Sequence, residues 1–156
     1  MEIQSYEIFA EISVALLGFA SITAAVAGQT RKPEVLTARI KGLLMSATIA
    51  CVGSIAPLTH LDIIYCAVGY LFLLVIFLVW SGLEFFRNRD AKWNMQIWIV
   101  GYSLTISTTG FLLYSLLTAT ELIHVAYICA ICVSLGMAGT VFVRFVLVII
   151  SGEEQR

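Results

Sequence analysis

Apolar residues in this chain fall into five long runs separated by short polar stretches, at about 8–28, 42–59, 63–83, 95–117 and 122–150. Each run is long enough to carry a helix across the roughly 30 Å of hydrocarbon in a bilayer. None shows the two-residue alternation of a barrel strand. A lipid-embedded segment must satisfy its own backbone groups, so the runs are expected to be helices. The first polar stretch, 29–41, contains Pro33 as a breaker. The second is a tight turn at His60 and Asp62, and Pro57 falls in the last turn of the run before it. There, near water, the carbonyl freed by proline finds other partners more easily. The third stretch covers 84–94 and the fourth Thr118 to Glu121. The pattern predicts an all-α integral membrane protein: one domain over residues 1–156, built as a five-transmembrane-helix bundle. Neither a soluble domain nor an internal repeat stands out.

Charge adds orientation. All nine Lys and Arg residues lie in three groups: Arg31, Lys32, Arg39 and Lys41; Arg87, Arg89 and Lys92; Arg144 and Arg156. Two apolar runs and a turn without a cation separate consecutive groups. Cations collect on the cytoplasmic side, so five crossings place the N-terminus outside and the C-terminus in the cytoplasm. Glu2, Glu7, Asp62 and Glu121 then lie outside. Trp80, Trp93 and Trp98 mark the inner interface, and Tyr6, Tyr65, Tyr114 and Tyr127 the outer one. Ala25 to Ala27 resembles a signal-peptidase site, but no cation precedes Arg31, so the segment reads as a retained span. Cations confined beside membrane segments argue against a nucleic-acid partner. At 60% hydrophobic and 12% charged, the chain lacks the polar surface of a soluble fold, where about 25% of residues are charged.

Small residues at i, i+4 spacing predict close helix packing. These seams are Ala20, Ala24 and Gly28 in the first run; Gly42, Ser46, Ala50 and Ser54 in the second; Gly101, Thr105 and Thr109 in the fourth; and Cys132, Gly136 and Thr140 in the fifth. Leu71 to Trp80 in the third run is bulky almost all round and is expected to face lipid. Cys51, Cys66, Cys129 and Cys132 lie inside apolar runs and read as apolar packing residues, the CxxC spacing of the last two included.

Three groups could carry chemistry. Ser103, Thr105, Ser107, Thr108 and Thr109 place hydroxyls along one span, where they could line a polar path by replacing an ion's hydration shell. They can also simply bond back to their own helix. Glu11 lies about one turn inside the first span, and an acid at that depth is a functional candidate and a possible proton carrier. Glu7, Glu11, His60, Asp62, Glu121 and His124 all fall at the outer level. Glu121 and His124 have the Glu-x-x-His spacing of helical carboxylate metal sites, and imidazole with carboxylate suits a transition metal. A haem between His60 and His124 is a further variant. The plainer account of these six is a wetted polar rim. No catalytic group is expected, no cofactor is expected, and no mid-membrane lysine is present for a Schiff base.

The segment Glu11 to Gly28, EISVALLGFASITAAVAG, a basic loop, a second span ending Ala56, Pro57, Leu58, and a fifth ending Val141 to Phe145 together resemble small multi-spanning bacterial membrane proteins of unassigned function. The resemblance implies a bacterial inner membrane and brings no activity. The functional expectation is a channel or transport-type homo-oligomer with a hydroxyl-lined path. Its alternatives are an accessory subunit of a larger membrane complex and a metal- or haem-binding redox protein using the outer Glu and His residues.

Overall fold

A computed structural model describes residues 2–27, 33–87, 95–118 and 121–151. The basic residues Arg31, Lys32, Arg89, Lys92 and Arg156, together with Trp93 and Gly28, lie outside the described residues, as do the side chains of Ala24, Arg39, Arg87 and Trp98. Among the described residues five long helices follow one another: α1 (Glu2–Ala27), α2 (Pro33–Ile55), α3 (Ile63–Arg87), α4 (Met95–Leu117) and α5 (Ile123–Ser151). All five are long and apolar enough to cross a membrane.

Two boundaries differ from the apolar runs for physical reasons. Helix α1 starts at Glu2, because the polar residues ahead of the apolar run are compatible with a helix that emerges into water. Helix α2 starts at Pro33, inside the stretch read as loop. Proline ends a helix when it sits in the interior, but at the first helical position its missing N–H removes nothing and its fixed φ fits. At the other end of α2 the chain tightens into a 3-10 turn, Ala56–Thr59, with Pro57 in its first positions. His60 closes that turn with φ 61°, in the left-handed region.

Short connections dictate the topology. A 23-residue helix at 1.5 Å per residue is about 35 Å long, further than a link of five or seven residues can reach. Successive helices are therefore antiparallel. One end of the bundle gathers the start of α1, the α2–α3 turn and the α4–α5 turn; this is called the turn end below. In the packing, α1 lies mainly on α2, α3 on α4, and α4 on α5, while α2 and α5 meet as non-sequential neighbours. Helix α5 touches all four others.

The inward faces follow helical spacing. Helix α1 buries Tyr6, Ser13 and Ala20; α2 buries Leu43, Ser46, Ala47, Ala50 and Ser54; α3 buries Cys66, Ala67, Tyr70, Leu74 and Phe77; α5 buries Ile123, Ala126, Tyr127, Ala130, Ile131, Ser134 and Ala138. The α2 seam is found as expected, and Thr105 is buried on α4. The α5 seam is not the expected one: Cys132, Gly136 and Thr140 point outward, away from the bundle. The buried small residues are instead Ala126, Ala130, Ser134 and Ala138, another i, i+4 row on the opposite face. Helix α3 is likewise two-sided. Leu74 and Phe77 are core, whereas Phe72, Val75 and Val79 are exposed.

Buried hydroxyls are accommodated locally. Ser13 donates to the Phe9 carbonyl at 2.7 Å, Ser46 to Gly42 at 2.8 Å, Ser54 to Ala50 at 2.7 Å, Ser115 to Phe111 at 2.9 Å and Ser134 to Ala130 at 3.0 Å. Each bonds one turn back on its own helix, so a polar side chain enters an apolar interior without needing a partner elsewhere.

Candidate functional site

The six outer-level candidates do lie towards the turn end, but they do not converge. Glu7 and Glu11 share the outward face of α1, and His60, Asp62 and Glu121 are exposed. His124 is half-buried on α5. Among the described residues no three His, Cys, Asp or Glu side chains come together to hold a metal ion. Asp62 has a structural task that its place in the turn explains. Its carboxylate Oδ1 accepts the Ile64 N–H at 3.2 Å, and its carbonyl accepts the amides of Tyr65 at 3.0 Å and Cys66 at 3.2 Å. This is an N-cap that satisfies the free donors at the start of α3. Asp62→Ala is expected to cost about 1 kcal/mol of stability, read from thermal unfolding in detergent; Asp62→Asn should cost little, since an amide oxygen also caps.

The five hydroxyl residues of α4 divide between faces. Thr105 is buried and donates to the Gly101 carbonyl at 2.9 Å. Thr109 bonds to the Thr105 carbonyl at 2.6 Å, and Thr108 to Leu104 at 3.0 Å and to Thr105 at 3.1 Å. Ser103 and Ser107, one turn apart, are exposed on the outward face, with Gly110 exposed further along it. No hydrogen bond joins either serine hydroxyl to another described residue. The five therefore do not line one channel inside a single bundle; three bond back to their own helix and two face out.

What fills the bundle near the turn end is aromatic. Tyr6, Tyr70 and Tyr127 are all buried. The rings of Tyr70 and Tyr127 sit 5.2 Å apart at 59°, and Tyr6 meets Tyr127 edge-on at 6.1 Å and 67°. Such tilted and edge contacts suit the ring quadrupoles. The Tyr70 hydroxyl lies 2.9 Å from Ser134 Oγ, and the Tyr127 hydroxyl donates to the Gly53 carbonyl at 2.6 Å. Tyr127 thus touches α1, α2 and α3 from its place on α5.

Two of the four tyrosines assigned to an outer belt are core residues instead. Tyr65 and Tyr114 are 72% and 59% exposed, as a belt requires, but Tyr6 and Tyr127 are 3% and 0%. Depth in the sequence cannot separate an interfacial ring from a buried one at the same level. The distinguishing signal was the row of small residues, Ala126 and Ala130, flanking Tyr127 on one helix face.

A groove of about 240 Å³ runs beside this cluster between α2 and α3, lined by Gly53, Ala56, Cys66, Gly69, Tyr70 and Tyr127 among others. The four cysteines are free thiols. Cys66 is buried on the groove wall, and Cys129 and Cys132 are exposed on the outward face of α5 rather than packed within the bundle.

No family model, curated protein or solved structure matches this chain. Any functional reading therefore stands on the faces, the turn end and the aromatic cluster described above.

Proposed function

We propose that this protein is a small multi-spanning protein of a bacterial inner membrane that works as a homo-oligomer of channel or transport type, with its path between protomers along the outward face of α4. The N-terminus is outside and the C-terminus cytoplasmic in this reading, following the placement of the cations. The observation that carries it is the pair Ser103 and Ser107, exposed one turn apart on a helix otherwise apolar enough to span a bilayer. Small hydroxyl residues let helices approach closely and bond across an interface. Repeated around an assembly, the same hydroxyls present oxygen atoms to an ion or small polar solute without introducing a fixed charge.

Purified protein in liposomes is expected to pass such a solute. Ser103→Leu with Ser107→Leu should abolish most of the flux while leaving the fold intact, because both positions are outside the core. Thr105→Val, at a buried hydroxyl that serves its own helix, should leave flux nearly unchanged. Full flux in the double serine variant ends this reading.

A second reading, an accessory subunit of a larger complex, is supported by a different observation. Glu7 and Glu11 share the exposed face of α1 within its apolar span, while the cations of this chain fall towards the other ends of the helices, some of them, such as Lys41 and Arg144, within the helices themselves. A carboxylate facing hydrocarbon is costly, and a partner helix bearing a cation near that level would relieve it. Co-purification of a stoichiometric unrelated membrane protein, lost on Glu11→Gln, is the outcome that favours this reading over a homo-oligomer.

A further inference from the structure

An α-helical carbonyl accepts the N–H four residues along. For Gly53 that residue is Pro57, which has no N–H and whose ring crowds the same carbonyl. The chain responds by tightening into the 3-10 turn Ala56–Thr59. The missing donor is replaced from another helix: the Tyr127 hydroxyl reaches the Gly53 carbonyl at 2.6 Å. Gly53 also lets the Tyr70 ring pack against this junction, since a Cβ there would run into that ring. Tyr70 is in turn held by Ser134 on α5.

We propose that the junction of α2 with the 3-10 turn is a hinge, and that Tyr127 is the latch that holds it closed. Releasing the latch frees the end of α2 to swing with the turn carrying His60 and Asp62. The groove between α2 and α3 widens as it does so, because Gly53, Ala56, Tyr70 and Tyr127 belong to both the junction and the groove wall. Space for the movement exists on the α3 side, where a Cβ at Gly69 would meet nothing within 4 Å. This hinge is independent of the transport reading and holds for a protein of either assembly type.

Cys66, buried on the groove wall, reports the movement. With Cys51, Cys129 and Cys132 replaced by Ala in the full chain in detergent, the rate of Cys66 modification by N-ethylmaleimide is measured. Tyr127→Phe keeps the ring and removes only the hydroxyl. It should raise the rate about three- to twentyfold, the span corresponding to measured hydrogen bonds between membrane helices. Pro57→Ala restores an amide to the Gly53 carbonyl, so it should bring the Tyr127→Phe rate back to the starting value and, alone, slow labelling. Leu43→Ala weakens a separate core cluster and should leave the Cys66 rate within about twofold. The proposal is overturned if Tyr127→Phe labels at the starting rate, if Pro57→Ala does not suppress its effect, or if Leu43→Ala accelerates labelling as much.

Discussion

Tyr127→Ala is expected to destabilise the bundle by about 3 kcal/mol, the low end of the range for removing a buried aromatic ring. In the membrane setting proposed above, part of the usual loss is absent, because the unfolded helices also stay out of water and apolar transfer does not drive them together. What remains is packing and hydrogen bonding, and Tyr127 holds much of both. Its ring contacts Tyr6 on α1 and Tyr70 on α3, and its hydroxyl supplies the Gly53 carbonyl on α2. Truncation leaves a ring-sized void where four helices meet. Tyr65→Ala, at an exposed tyrosine on the same end, should fall within about 0.5 kcal/mol of the parent protein. Unfolding by added denaturing detergent, followed by circular dichroism, measures both. Equal losses for the two tyrosines would remove Tyr127 from its central place.

The second large effect is expected from Gly53→Ala, at about 1–3 kcal/mol. Alanine ordinarily favours a helix over glycine by up to about 1 kcal/mol, so the sign depends on what the new methyl meets. At Gly53 it meets the Tyr70 ring, which is itself buried and bonded to Ser134. The ring is packed at a tilt against Tyr127 and cannot move aside without disturbing it. Gly101 makes the informative contrast. A Cβ there runs into the Sδ and Cε atoms at the end of Met137, a flexible thioether that fills irregular space and shifts easily. Gly101→Ala should be close to neutral or mildly stabilising. The same unfolding titration reads both variants, and a neutral Gly53→Ala would show that the α2–α3 contact is looser than described.

The number and type of helices were legible in the apolar runs because crossing length is a coarse quantity that many residues set together. The inner seam of α2 was legible too, since Gly42, Ser46, Ala50 and Ser54 form one row with no competing row of small residues. Helix α5 carries two such rows, and spacing alone gave no reason to prefer Ala126, Ala130, Ser134 and Ala138 over Cys132, Gly136 and Thr140. Which row faces inward is settled by a partner, the α2 surface, whose position is a property of the whole bundle. For the same reason the five hydroxyls of α4 looked like one line in the sequence and divide between two faces in the structure. Pro33 starts α2 rather than breaking a loop, and its place is not legible for a local reason: a proline that stops a helix and one that starts it carry the same letter. The Gly53–Pro57–Tyr127 arrangement was half visible. Pro57 announced that a carbonyl would lose its donor, but the replacement comes from 74 residues along the chain.

The way the buried serines and threonines bond has a bearing on how such a chain is built. Because each of these hydroxyls is answered one turn back on its own helix, a helix quiets those groups before it meets any partner. The Gly53 carbonyl is the exception. It lacks its replacement donor until α5 docks and brings Tyr127, which makes that contact a mark of helix assembly rather than of helix formation.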